Sequence, residues 1–216
     1  MKILVIINYN HIASKKLIYY LRKKKINFDY IDSSKKKKIK ISKKYDYLIS
    51  FLNSKYIDKN VRRKIKLGSF NFHPGPPEYP GFGCYNFALL DKINFYGSTL
   101  HMMDDKFNNG KIVNVKKFKT SYKKLDLVKL INMTHINITK QAKNFINLII
   151  TGKIKIEGNL KWKRKAYTKE EFEKAREIYL KDTKANILKK IKAFTYKNYE
   201  SVYVKIRGFK FEYKKK

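Results

Sequence analysis

The sequence is short of several things, and each shortage removes a class of protein. It has one cysteine, Cys84, which excludes an internal disulfide framework and a zinc site built from cysteines alone. Its four prolines all lie between Pro74 and Pro80, so no other stretch is punctuated by proline. No run of about 18 apolar residues occurs, which excludes an ordinary membrane-spanning helix. The opening MKILVIINYN is too brief an apolar stretch for a secretory signal and lacks a small-residue cleavage site. A soluble, cytoplasmic protein is therefore the expectation. Glycine is missing after that first apolar run, where NYNHIASK follows, and neither a P-loop nor a dinucleotide fingerprint occurs. Acidic residues are few, 17 against 52 lysines and arginines, for a formal net charge of +35.

What is present fits a folded chain of 216 residues. Hydrophobic residues make up 43% and aromatics 15%, enough for a core, so a wholly disordered basic tail is excluded. Arginine stands only at positions 22, 62, 63, 164, 176 and 207; every other basic residue is lysine, spread over the chain among abundant Ile, Asn, Tyr and Phe. Nucleic-acid readers favour the planar fork of arginine. This texture reads as a compositional bias of the encoding genome, with a polyanion-binding face as the alternative. Nucleic acid is thus an unfavoured partner, and membrane insertion is not expected.

Short apolar runs at 2–8, 27–32 and 45–52 read as strands, with a helix over 13–25 and a lysine-rich connection between them. A short helix over 61–67 precedes a strand over 69–72. The prolines and three glycines of residues 74–83 admit neither helix nor central strand, so this stretch is an ordered loop. A helix over 84–90, a strand over 97–103, a turn at 108–110 and a strand over 111–118 follow. The longest helical pattern spans 125–150, and Gly152 ends it. Beyond it lie a hairpin-like region over 153–162, helices over 169–180 and 183–194, and a hairpin about Arg207–Gly208. The expected fold class is α/β: a Rossmann-like domain with a mostly parallel sheet over 1–152. A small α+β subdomain over 153–216 follows, ending in a β-hairpin.

Two residues stand out for function. His73 follows a strand directly, and Asn71 lies two residues earlier on the same side of it. Ligands of open parallel sheets bind at the carboxyl ends of strands. There an amide can donate to a developing oxyanion, and an imidazole can donate as well or move a proton. A capping asparagine beside a packed histidine is the alternative. His11 and His135 fall in helical patterns and read as surface or cap residues. No metal site is expected.

With these residues stand Asn71–Phe72–His73–Pro74–Gly75, Tyr79–Pro80–Gly81, Gly97–Ser98–Thr99–Leu100–His101 and Asn109–Gly110–Lys111–Ile112. In order and spacing this series resembles the N10-formyltetrahydrofolate-dependent formyltransferase family. The resemblance implies a formyltransferase domain in which Asn71 and His73 hold a formyl carbonyl under attack by an amine. The family's third catalytic residue is an aspartate seven positions after the histidine equivalent to His101; that position here is Asn108. An amide cannot accept the amine's proton. Either Asp104 or Asp105 supplies the carboxylate, or catalysis is weakened, or the residue is an engineered substitution. The resemblance places N10-formyltetrahydrofolate against Phe51, Leu52, Ile57, Asp104 and Asp105.

Members acting on glycinamide ribonucleotide carry a glycine-rich phosphate loop after the first strand, and those acting on Met-tRNA carry a Gly-Thr-Pro-like turn there and a carboxy-terminal barrel. None of these features is found. The series looks most similar to enzymes that formylate a nucleotide-linked deoxyamino sugar, carried on dTDP or UDP, with the tail as a dimer-forming appendage of a homodimer. Tyr79, Trp162 and Tyr167, the last two near Lys161, Lys163 and Arg164, are then candidates to stack a base and pair a diphosphate; a tryptophan packed in a small core is the alternative. The rival readings are a weakened formyltransferase fold that binds folate or RNA, and a Met-tRNA formyltransferase-like enzyme without the barrel.

Overall fold

Ile3–Ile7 (β1) is buried at every position, as a strand covered on both faces must be. It lies within a six-stranded sheet with Phe28–Asp32 (β2), Tyr45–Phe51 (β3), Ile65–His73 (β4), Phe95–Met102 (β5) and Ile112–Lys119 (β6). The strand order is β2-β1-β3-β4-β5-β6, with β1 to β4 parallel and β5 and β6 antiparallel. This computed structural model describes residues 1–104, 110–154, 159–196 and 201–214. The α/β expectation with a mostly parallel sheet holds.

Two helices cover one face: Ile12–Lys23 (α1) and Leu127–Ile150 (α4). Their apolar stripes meet Ile3, Val5, Ile7, Phe51, Phe70, Phe72 and Leu100 in the largest core. Leu4, Ile6 and Leu48 on the opposite face meet Ile39, Ile57 and Val61. A third core gathers Tyr79, Cys84, Phe87 and Tyr96 with Ala193, Phe194 and Val202. It joins the short helix Cys84–Leu90 (α3) to Lys184–Phe194 (α6), and the Asn86 amide donates to the Ala193 carbonyl at 2.8 Å.

Two local expectations are corrected. The helix expected over 61–67 is the single turn Lys59–Arg62 (α2), capped by Asp58, whose carboxylate accepts from the Asn60 and Val61 amides. The chain then extends from Ile65 because that residue pairs with Tyr45 of β3. The helix expected over 169–180 stops at Arg176 (α5, Lys169–Arg176). Glu177–Ile178 (β7) instead pairs in parallel with Tyr203–Ile206 (β8), which turns at Arg207 and Gly208, both at positive φ, into Phe209–Glu212 (β9). The expected hairpin at Arg207–Gly208 is therefore present. Of the hairpin-like region over 153–162, the described residues belong to no strand, and 155–158 lie outside them.

Candidate active site

Period-two geometry builds the site from two neighbouring strands. On β4, Asn71 and His73 point to one face; in the antiparallel register Asn71 lies opposite His101 and His73 opposite Thr99. The four side chains form a square on the sheet, on the face away from Phe70 and Phe72. The Asn71 amide nitrogen is 3.0 Å from His101 Nε2, and His101 Nδ1 is 2.8 Å from the Met102 carbonyl.

The proline-rich loop after His73 explains the rest. Proline has no N–H, so within this turn the Tyr79 amide reaches the Pro76 carbonyl at 2.9 Å and other carbonyls draw donors from elsewhere. Tyr96 donates its hydroxyl to the Pro74 carbonyl at 3.1 Å, and buried Thr99 donates to Gly75 at 2.8 Å. Main-chain amides of Lys163 and Tyr167 reach the Pro77 and Pro80 carbonyls at 3.0 and 2.9 Å, and Phe82 returns a bond to Tyr167. Gly81 (φ +90°) must be glycine, since an added Cβ would meet the Tyr167 backbone at 2.5 Å. His73 holds the Tyr79 carbonyl at 2.8 Å through Nε2.

That last bond fixes the chemistry of His73. A carbonyl only accepts, so Nε2 carries the proton, and in the neutral ring Nδ1 is the acceptor. The side chain is 3% exposed, and burial, reinforced by nearby His101, lowers its pKa to about 4. At neutral pH the ring is uncharged. It can take up a proton at Nδ1, whereas donation to an oxyanion from that nitrogen would need the imidazolium.

The other expected residues fall into distinct places. Trp162 approaches the square: its ring stands edge-on to His101 at 5.2 Å and to His73 at 5.8 Å between centroids, and its indole N–H donates to the Gly110 carbonyl at 3.0 Å. Tyr167 is stacked on Phe87 with centroids 3.6 Å apart, and the Arg164 guanidinium lies 3.2 Å from the ring centroid. Two groups that close to one centroid must occupy opposite faces, so base stacking on Tyr167 would require Arg164 to leave. The Tyr79 ring is buried and its hydroxyl donates to Asp91 at 2.9 Å; burial and that bond raise its pKa. Its link to the site is its carbonyl. Phe51 is wholly buried, edge-on to Phe72, and Ile57 is packed with Leu4 and Ile6, so both side chains belong to the interior. Leu52 is half-buried at the end of β3 with φ +47°, a left-handed backbone that a non-glycine residue adopts under strain. Asp104 is exposed; Asp105 and Asn108 lie outside the described residues.

His101 and Thr99 are visible in the sequence only as landmarks of the Gly-Ser-Thr-Leu-His strand. Alternation places them on one face, yet only the register with β4 sets them against Asn71 and His73. Away from this site, His11 precedes α1 and contacts His135 of α4 edge-on at 5.2 Å. Among the described residues there is no cluster of three or more potential metal ligands, and no helix is long and apolar enough to cross a membrane.

No family model matches the chain. Over 81 residues, 37% of the chain, it is 33% identical to the bifunctional polymyxin resistance protein ArnA of Wigglesworthia glossinidia brevipalpis; that stretch is 12% of the relative's length. Among solved structures, a sugar N-formyltransferase from a Shewanella species superposes with a TM-score of 0.80 at 15% identity, covering 99% of this chain and 96% of that one. The N-formyltransferase of Helicobacter canadensis, in complex with folinic acid and dTDP-3-aminofucose, gives 0.73 at 16% identity over 96% and 85% of the two chains. The chain therefore has the formyltransferase fold, and the structures it resembles over nearly its whole length include sugar N-formyltransferases.

Proposed function

We propose that the protein transfers a formyl group from N10-formyltetrahydrofolate to the amino group of a deoxyamino sugar linked to dTDP or UDP. The observation that carries the reading is the square of Asn71, His73, Thr99 and His101 at the carboxyl end of β4, in a fold shared with sugar N-formyltransferases. The donor set fits the group. A formyl amide under attack needs one N–H for its oxygen and one acceptor for the amine's proton, and the Asn71 amide and the neutral His73 ring are those two.

When bound, N10-formyltetrahydrofolate supplies the one-carbon unit. Asn71 would donate to the formyl oxygen, and His73, neutral at pH 7, would take at Nδ1 the proton that the amine gives up and return it to the cofactor nitrogen as the bond from that nitrogen to the formyl carbon breaks. Leu52, at the strained end of β3, and Asp104 would flank the cofactor, with Phe51 and Ile57 supporting that edge from within. Trp162 roofs the two histidines and limits their contact with water. The carboxylate position falls to Asn108, so this loop is the weak corner of the reaction. The homodimer is proposed at the β8–β9 hairpin. Phe209 and Phe211, 71% and 56% exposed, share a sheet face with Ile206 on the edge of the small sheet. The reaction is placed in the cytoplasm.

The test is turnover with 10-formyltetrahydrofolate against a panel of dTDP- and UDP-linked amino sugars. Formylation of one member is the expected result, with Asn71→Ala lowering its rate by roughly two to three orders of magnitude, the scale of one lost oxyanion donor. Folate binding without turnover on every member, even with Asn108→Asp, would reject the enzyme and leave a folate-binding protein.

A further inference from the structure

We propose that His101 is a positioning residue that locks the side-chain amide of Asn71 in one orientation. The inference deepens the reading above and rests on it for the identity of the reaction, while its geometry stands without that reading.

The protons decide the orientation. The Met102 carbonyl, 2.8 Å from His101 Nδ1, can only accept, so Nδ1 bears the hydrogen. In the neutral ring Nε2 then has a lone pair. Of the two ends of an asparagine amide only the NH2 can donate to it, and the Asn71 nitrogen sits 3.0 Å away. A directed chain results, from the Asn71 N–H to His101 Nε2 and from His101 Nδ1–H to the Met102 carbonyl. An amide has two N–H groups in one plane. Once the first is held by His101, the direction of the second is set, and that second donor is the one assigned to the formyl oxygen. Donation from Nδ1–H to the Met102 carbonyl makes Nε2 a better acceptor, so the bond that holds the Asn71 amide is strengthened.

Three further features build this chain. His101 lies directly opposite Asn71 in the β4–β5 register, and the β5–β6 register shifts between Leu100 and His101, an irregularity of the kind that re-aims a side chain. The ring is buried and Trp162 stands edge-on against it, which keeps competing water away. A Cβ on Gly110 would come within 1.8 Å of the Met102 oxygen, so a glycine there leaves room for the carbonyl that receives the His101 proton.

Without His101 the Asn71 NH2 loses the acceptor that orients it, which weakens the preference for presenting the N–H rather than the oxygen to the formyl group. The loss should be smaller than deleting the donor outright. The experiment has two arms. In 15N-histidine spectra of the whole protein, assigned with His101→Gln, His101 should appear as the Nδ1–H tautomer. Its Nε2 resonance should move when Asn71 is replaced by Ala. This arm needs no substrate, so it decides the geometry even if the formyl-transfer reading fails. In the kinetic arm, His101→Phe should lower kcat by about 10- to 100-fold, below the loss expected for an absent oxyanion donor, with KM for 10-formyltetrahydrofolate changed less than about threefold. His101→Gln, whose side-chain oxygen can accept from Asn71, should recover most of kcat. A protonated Nε2 on His101, or an Nε2 resonance indifferent to Asn71→Ala, overturns the proposal. So does a folded His101→Gln variant no better than His101→Phe.

Discussion

The core under α1 and α4 and the core under α3 and α6 gather their residues differently. In the first, most strand residues are aliphatic, with Phe51, Phe70 and Phe72 among them, and Ile3, Val5 and Ile7 arrive together in one segment. The second is gathered from distant parts of the chain, with Tyr79, Phe87 and Tyr96 meeting Phe194 and Val202. The first core makes the sheet. The second holds the proline-rich loop, whose carbonyls are bound by Tyr96, Thr99, Lys163 and Tyr167, and through that loop it fixes His73. A sheet can thus be specified locally while the site it carries depends on residues about 80 or more positions away.

Cutting the chain is the strongest way to break this comparison. A version ending at Gly152 loses the Lys163 and Tyr167 bonds to the loop and leaves Phe87, Leu89 and Tyr96 uncovered by Phe194 and Val202. It should lose cooperative thermal unfolding and all turnover, as read by near-ultraviolet circular dichroism and the formylation assay. A truncated chain that unfolds cooperatively with native aromatic signals would show that the second core is dispensable.

Single cavities sharpen the same contrast. Phe194→Ala should cost about 3–5 kcal/mol and Ile146→Ala about 2–5 kcal/mol in urea titrations, both as large-to-small changes at buried sites. Their effects on chemistry should separate. Ile146 lies in the first core, so kcat of the folded fraction should hold; Phe194 supports α3 and the loop, so its loss should lower kcat as well. Equal kcat in both variants would sever the link between the second core and His73.

The sequence is most readable where one segment carries its own pattern. Helix Cys84–Leu90 matches its expected bounds, and β1 its buried apolar run. Boundaries slip where a cap or a pairing partner decides them, as with Asp58 before Lys59–Arg62 and Tyr203 beside Glu177. In the site, the two-residue spacing of Asn71 and His73 is enough by itself to put both on one face of a strand. Strand β3 is covered on both sides, so no alternation could reveal that Phe51 turns inward against Phe72. The sandwich of Tyr167 between Phe87 and Arg164 joins two segments about 80 residues apart, which local pattern does not encode.

Asn108 lies two residues before Gly110 in the sequence, and the Gly110 carbonyl accepts from the Trp162 indole. Asn108→Asp should raise turnover by about 100-fold, within the usual contribution of a general base. Should Asp104 or Asp105 already supply the carboxylate, Asn108→Asp would change little, and alanine at the operative aspartate would abolish activity instead. A fully active wild type indifferent to all three changes would remove any carboxylate from the mechanism.

The smallest expected effect compares the two regions through acid. Each holds one histidine whose pKa burial lowers to about 4: His73 beside the proline loop, and His135 of α4, next to His11. An unfolded imidazole titrates near 6.5. Between those values the unfolded chain binds the proton and the folded ring does not. The stabilisation is therefore fully present above about 6.5 and is lost as pH falls toward 4. For buried His73 the loss between pH 7 and pH 5 should be about 2 kcal/mol. For the partly exposed His135 it should be smaller, because solvent screens the charge. Carboxylates held low, such as Asp182 beside Lys190, give up their share only below about 4, so the window from 7 to 5 belongs to the histidines. Urea unfolding at the two pH values, with His135→Phe as the second protein, measures each part. The variant should lose less stability than wild type on acidification and keep the His73 share; a wild type equally stable at both pH values would mean that His73 is not held neutral by burial.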